Sequence, residues 1–312
     1  MKYHCLSLGP ARMDVFVKLP EDSVAEKCSI DRKRCIIEMG FGEKISVQSV
    51  DFAIGGNAGN NAVGLGRLGL STALICAMGD GWMDNQAKNV LKEEKVETKY
   101  IEINKGQNGF GVVINYQEER TILSYYPDAL CCFPEDPELA ADWMYLTSMG
   151  KGYEDFYGQA LEWSKPHNTK IAFNPGTRQI KDGLDKIGQA LSQTEILFVN
   201  REEGNDLLKT DLGCPELARE LAKHGPKIVV VTNGPEGAYC FDGKKDYFAP
   251  VIDAPVVERT GAGDAFAVGF MGGVMLGESV EEALVWGSKN SASVLGFVGP
   301  QKGLLTFDKI NQ

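Results

Sequence analysis

The stretch Arg259-Thr260-Gly261-Ala262-Gly263-Asp264-Ala265-Phe266, running on into the small-residue segment Ala267 to Leu276, decides most of the reading of this chain. Small residues ahead of a helix leave several backbone N–H groups pointing one way, and the helix dipole adds positive potential at that end. The segment can therefore cradle a phosphate. A carboxylate in the first turn stays ionised in the same field. Asp264 either accepts the proton of a hydroxyl attacking that phosphate or only caps the helix, and the residues alone leave both open. No G-x-x-x-x-G-K-[ST] occurs, so an ordinary P-loop is excluded.

Two other glycine clusters lie upstream. Gly55-Gly56-Asn57-Ala58-Gly59-Asn60-Asn61-Ala62 follows the strand-like Val50–Ile54 and opens a helix. Paired glycines let backbone approach a ligand, and asparagine side chains both donate and accept, which suits neighbouring hydroxyls. A tight turn with an asparagine cap is the alternative. Gly64-Leu65-Gly66-Arg67-Leu68-Gly69 matches G-x-G-x-x-G, but it ends a helix and precedes a strand. The dinucleotide fingerprint needs the reverse order, so close helix packing is the expected role.

Around these clusters, short apolar runs alternate with helix-length amphipathic stretches. WMYLTS, KIAFN, ILFVN and KIVVVT read as strands, and Leu217, Ala218, Leu221 and Ala222 fall at helical spacing between two of them. The expectation is an α/β fold in which a mostly parallel central sheet is flanked by helices, organised as one domain over residues 1–312. The alternation breaks at about 12–54 and at about 100–127, where Tyr100–Ile103, Phe110–Tyr116 and Thr121–Tyr126 read as successive strands. These regions predict a small β-sheet lid.

Of 312 residues, 43% are hydrophobic and 24% charged, enough for one sizeable core. The net charge of −11, with no basic block, argues against nucleic acid as a partner. No apolar run is long enough to span a bilayer and no leader-like segment opens the chain, so a cytoplasmic location is expected. The eight cysteines contain no C-x-x-C, and with three scattered histidines they predict free thiols and no zinc site.

Taken together, the motifs resemble those of ribokinase-like (PfkB) carbohydrate and nucleoside kinases. Gly55–Asn60 with Ala62-Val63 is similar to that family's first signature, and Thr260–Asp264 to its second. Between them, Asn200-Arg201-Glu202-Glu203 resembles N-x-x-E, and Thr232–Gly237 resembles T-x-G-x-x-G. The resemblance implies an ATP-dependent kinase acting on a sugar such as fructose or ribose, or on a nucleoside, with Asp264 as base. Gly261, Ala262 and Gly263 would form the anion hole, while Asp14, Gly56 and Asn60 would hold acceptor hydroxyls. Asn200 and Glu203 would position Mg2+ and its waters, although the pair alone reads as a capping box. Thr232, Gly234 and Gly237 would line the nucleotide, with Asn290 in the last helix near the adenine. A catalytically silent relative is the alternative of another class.

The chain departs from the family pattern at Glu258 and Arg259, where an Asp-Thr pair is common, which bears on K+ activation. It also has a long stretch between Asp14 and Gly55. Arg120 and Arg178 are candidates for a phosphate or an acidic substrate, and Phe16, Phe110 and Tyr126 for a platform under a nucleobase. The unpaired edge of the lid suggests a homodimer.

Overall fold

Strands whose neighbouring residues are all buried belong to a sheet covered on both faces, and Thr72–Met78 has that character along almost its whole length. The computed structural model describes residues 2–22, 24–29, 35–117, 119–125 and 131–312. In chain order its strands are β1 (Lys2–Leu8), β2 (Arg12–Lys18), β3 (Ala25–Cys28), β4 (Cys35–Glu38), β5 (Ser49–Gly55), β6 (Thr72–Met78), β7 (Ile101–Ile103) and β8 (Phe110–Tyr116). They continue as β9 (Glu119–Tyr125), β10 (Ala140–Thr147), β11 (Lys170–Asn174), β12 (Thr194–Asn200), β13 (Ile228–Thr232), β14 (Ala238–Phe241) and β15 (Asp246–Ala249). The helices are α1 (Asn57–Arg67), α2 (Trp82–Glu93), α3 (Tyr153–His167), α4 (Thr177–Asp182), α5 (Leu184–Ser192), α6 (Arg201–Leu208), α7 (Cys214–Ala222), α8 (Ala262–Leu276), α9 (Val280–Leu295) and α10 (Phe307–Ile310).

The main sheet runs β15-β14-β13-β12-β11-β10-β1-β6-β7. It is parallel from β13 through β7 and antiparallel only at β14 and β15. Alternation along β1 divides the core: Leu6 and Leu8 join the layer under α3, α5 and α7, while Cys5 joins the layer under α8 and α9. In α7, Leu217, Ala218 and Leu221 are buried, as the helical spacing predicts. Gly64 of α1 sits against Val268 of α8, where a side chain would collide. The G-x-G-x-x-G match is thus a helix-packing feature.

A second, four-stranded sheet is ordered β5-β2-β8-β9 and is drawn from the two regions that break the alternation, the sheet expected as a lid. One strand read as part of it belongs elsewhere. β7 pairs in parallel with β6 at the edge of the main sheet, because the Ala73–Glu97 bridge leads the chain back along β6. Besides β5, the long stretch between Asp14 and Gly55 contributes a separate hairpin, β3–β4, that stands outside the four-stranded sheet.

The expectation of free thiols fails at this hairpin. Its antiparallel register sets Cys28 directly opposite Cys35, and the two sulfurs are bonded. Cys5, Cys76, Cys131, Cys132, Cys214 and Cys240 are free.

Candidate active site

Open α/β sheets hold their ligands beyond the carboxyl ends of their strands. Here Thr147 and Asn174 end neighbouring strands in register, as do Asn200 and Thr232. At that edge Asn57, at the start of α1, lies against both Asn174 and Asp264, the latter at the start of α8.

Asp264, in the first turn of α8, is the centre of this meeting. Asn60 Nδ2 donates to its Oδ2 at 2.7 Å, and Asn57 Nδ2 donates to its Oδ1 at 3.1 Å. Burial raises the carboxyl to about 6, against the pull of the two amide donors that favour the ionised form. A carboxyl so placed changes its protonation just below neutrality.

The donors are themselves fixed. Asn57 Nδ2 also lies 3.3 Å from Asn174 Oδ1, Asn57 Oδ1 accepts from Ser148 Oγ at 3.3 Å, and Asn174 Nδ2 donates to the Phe198 carbonyl at 3.0 Å. Asn57, Ser148, Asn174 and Gln301 are site residues that the motif reading missed. The asparagine-rich run did contain Asn57, but nothing in it distinguished Asn57 from its neighbours.

The structure corrects the role expected of Asn60. It is 2% exposed, and its Oδ1 accepts from Gln301 Nε2 at 3.0 Å while its Nδ2 holds Asp264. Asn60 therefore braces Asp264 and is too buried to hold an acceptor hydroxyl. Removing its donor should leave the carboxylate less favoured, so in Asn60→Ala the acid limb of the kcat/KM profile should move to higher pH. A pH–rate profile superimposable on that of the wild type would contradict the assignment.

The two glycine turns are built for close approach. Gly56, the residue before α1, has φ 89, and a Cβ there would strike the Pro10 carbonyl. Gly261, before α8, has φ 82 and lies against Pro300. Both conformations belong to the left-handed region that disfavours side chains. Gly263, one turn on, meets no heavy atom within 4 Å of where its Cβ would stand.

Asn200 and Glu203 form the capping box weighed as their alternative role: Asn200 Oδ1 accepts from Glu203 N at 2.8 Å, and Glu203 Oε2 accepts from Asn200 N at 2.9 Å. Glu203 nevertheless also lines a cavity that Asn57 and Asn174 share and whose wall does not include Asp264 itself. Burial raises its carboxyl first, and the Asp264 charge raises it further. An oxygen ligand such as the Glu203 carboxylate suits a divalent cation. Thr232 ends β13, and Gly234 (φ 50) and Gly237 (φ 94) shape the turn that follows.

The cavity is about 530 Å3 and is walled by Arg12, Asn57, Asp84, Gln107, Arg178 and Glu203 among others. Asp14 is not in its wall. It is buried in the lid sheet, where Gly55 and Gly111 leave room for its carboxylate, and it accepts from Arg12 Nε at 2.9 Å. Burial raises its carboxyl and Arg12 lowers it. Arg12, which the sequence reading passed over, is the residue of this pair that reaches the cavity, and its Nη2 donates to Ser124 Oγ at 3.1 Å.

Three expected residues lie elsewhere. Arg120 pairs across from Asn115 at the far end of the lid hairpin and lines a separate groove, because register carries it four residues beyond Ser124. Asn290 is 1% exposed; it donates to the Ala265 carbonyl and accepts from Leu305 N, so it ties α9 to α8 rather than facing a nucleotide. Phe16 is 1% exposed and cannot serve as an open platform. Tyr126 lies outside the described residues, and Phe110 tilts against Tyr125 at 6.5 Å.

Comparison with known proteins agrees with this geometry. Residues 23–306 match the model of the pfkB family carbohydrate kinases. The chain is 28% identical over 286 residues to a 5-dehydro-2-deoxygluconokinase of Clostridium tetani, covering 83% of each chain. It is 27% identical over 252 residues to a fructosamine kinase of Bacillus subtilis, covering 80% of this chain and 86% of the relative. Its fold matches a ribokinase of Arabidopsis thaliana solved with ribose and ATP, at TM-score 0.78 and 19% identity, over 100% of this chain and 98% of the other. The chain thus belongs to the pfkB family of carbohydrate kinases and is a phosphotransferase with an alcohol group as acceptor.

Proposed function

We propose that the protein transfers the γ-phosphate of ATP to a hydroxyl of a small sugar, fructose- or ribose-like, with Asp264 as the general base. The observation that carries this reading is the Asp264 carboxylate, held by Asn57 and Asn60 at the start of a helix whose preceding turn is Gly261. Phosphoryl transfer needs positioning and charge neutralisation more than covalent chemistry. Gly261, Ala262 and Gly263 supply backbone N–H groups and the helix dipole where the transferred group's charge is to be held. Asp264 takes the hydroxyl proton, and Thr232, Gly234 and Gly237 line the nucleotide. Glu203 with Asn200 would hold Mg2+, which when bound neutralises phosphate charge. The Glu203 carboxylate, which lines the cavity, is the donor that fits it.

A sugar acid is a second reading, because Arg12 and Arg178 both line the acceptor cavity and guanidinium groups match carboxylate geometry. The name of the Clostridium tetani relative points the same way. A nucleoside acceptor finds less support, since Phe16 is buried. The silent-relative reading finds little, since base and cradle are both in place. The described residues form no helix long and apolar enough to cross a membrane, and we assign the enzyme to the cytoplasm, where ATP is available.

The test is ADP release from ATP and Mg2+ with hexoses, pentoses, sugar acids and nucleosides, run in Na+ and in K+ salts. ATP binding with no turnover on any acceptor would overturn the kinase reading. We also infer a homodimer through the lid. Every residue of the edge strand β9 is exposed, Leu123 and Tyr125 among them. Light scattering should give twice the chain mass, and a monomer at micromolar concentration would refute the pairing.

A further inference from the structure

We infer that Asp84 is a specificity-determining residue of the acceptor cavity and binds a hydrogen-bond donor of the acceptor, an amine or a hydroxyl, other than the group that is phosphorylated. This inference rests on the proposed sugar-kinase function. Asp84 stands in the first turn of α2, is 4% exposed and lines the cavity with Met78, Gln107 and Cys131. Its Oδ2 is buried with no hydrogen-bond partner among the described residues, and no ion pair involves it there. A buried carboxylate oxygen left in that state is costly, and a donor entering the cavity would relieve the cost.

A second acceptor faces the same space. Gln179 is fully buried on α4; its Nε2 donates to the Met149 carbonyl at 3.0 Å, and its Oε1 has no partner. Two unsatisfied acceptors and the cation Arg178 therefore line one cavity. Such a wall suits a polar acceptor that presents donors at some positions and an anionic or accepting group at another. It discriminates sharply, because a substrate lacking the donor leaves Asp84 unpaired in the complex. Burial raises the Asp84 carboxyl, and the backbone N–H of Gly79 lowers it. The loop bearing Gln107 is fastened beside it, since Gly81 N donates to Asn108 Oδ1 at 2.7 Å and Gly106 N to Asp80 Oδ1 at 2.9 Å.

The experiment compares wild type, Asp84→Asn and Asp84→Leu on matched acceptors: fructose against 1-amino-1-deoxyfructose, and gluconate against 2-deoxygluconate. Turnover is followed by ADP release and binding by calorimetry without nucleotide. Asp84→Leu should lose acceptor affinity roughly ten- to hundredfold while its KM for ATP stays within about twofold. A loss confined to the amino sugar identifies an amine, and a loss shared by the hydroxylated members identifies a hydroxyl. Acceptor KM unchanged in both variants would overturn the role of Asp84 and leave the kinase reading intact. Acceptor binding that depends on Asp84 without any ADP release would do the reverse. Absence of both binding and turnover for every donor-bearing compound would overturn the subsite.

Discussion

Asp264→Asn should lower kcat by about 10²–10⁴-fold while the nucleotide KM stays nearly constant, because the change removes a proton acceptor but little volume. In the wild type, kcat/KM should fall as pH drops through about 6, following the free carboxyl, and the residual activity of the variant should lack that limb. Stability provides a second readout with a definite sign. Burial lifts Asp264 from its ordinary 3.8 to about 6, so the folded chain binds a proton more tightly than the unfolded one. The ionised group therefore costs stability above pH 6, and that cost has vanished below the ordinary value. The melting temperature of the wild type relative to Asp264→Asn should thus rise as pH falls from 7 to 5. Near-normal kcat in the variant would remove Asp264 from the role of base.

The second large effect separates two glycines of one motif. Gly261→Ala places a side chain at φ 82 and drives it into Pro300, so it should cost about 1–3 kcal/mol of stability from backbone strain alone and collapse the phosphate cradle. Gly263→Ala has room around its Cβ and a better helix former in α8, so its fold should be at least as stable as the wild type. It should still lose about 10²–10³ in kcat, because the added methyl stands where the transferred group must approach the backbone. Urea titrations and steady-state kinetics on both variants check the pair. Equal stability losses would show that the two positions differ only in degree, and full activity in Gly263→Ala would take it out of the cradle.

Much of this was legible in the chain. The parallel sheet announced itself through runs such as Ile228–Thr232, buried on both faces, and the lid through Phe110–Tyr116 standing apart from any helix. The place of Asp264 in the first turn of α8 was legible because helix start, small residues and carboxylate lie within a few positions. What escaped depends on pairings between distant residues. Gly111 makes room for Asp14 only because β2 and β8 pair across about a hundred residues. Arg120 and Ser124 exchange importance through the register of one hairpin. Cys28 meets Cys35 only once β3 and β4 have paired, and the three residues of β7 are too few to show by pattern which sheet they join. Asn290 misled because a buried asparagine that bonds backbone looks, in sequence, like one that bonds a ligand.

The segment after α9 passes behind the base: Gly299 N approaches Glu258, Pro300 backs Gly261, and Gln301 holds Asn60, while Arg67 grips the carbonyls of Gln301 and Leu304. Asp264 is therefore propped by residues that leave the ribosome long after those of α1. A nascent chain can close its β1–β6 layer early, yet it has no finished catalytic centre until residue 301 has emerged and threaded into place. A chain cut short before that point would be left with Asp264 and no brace behind it.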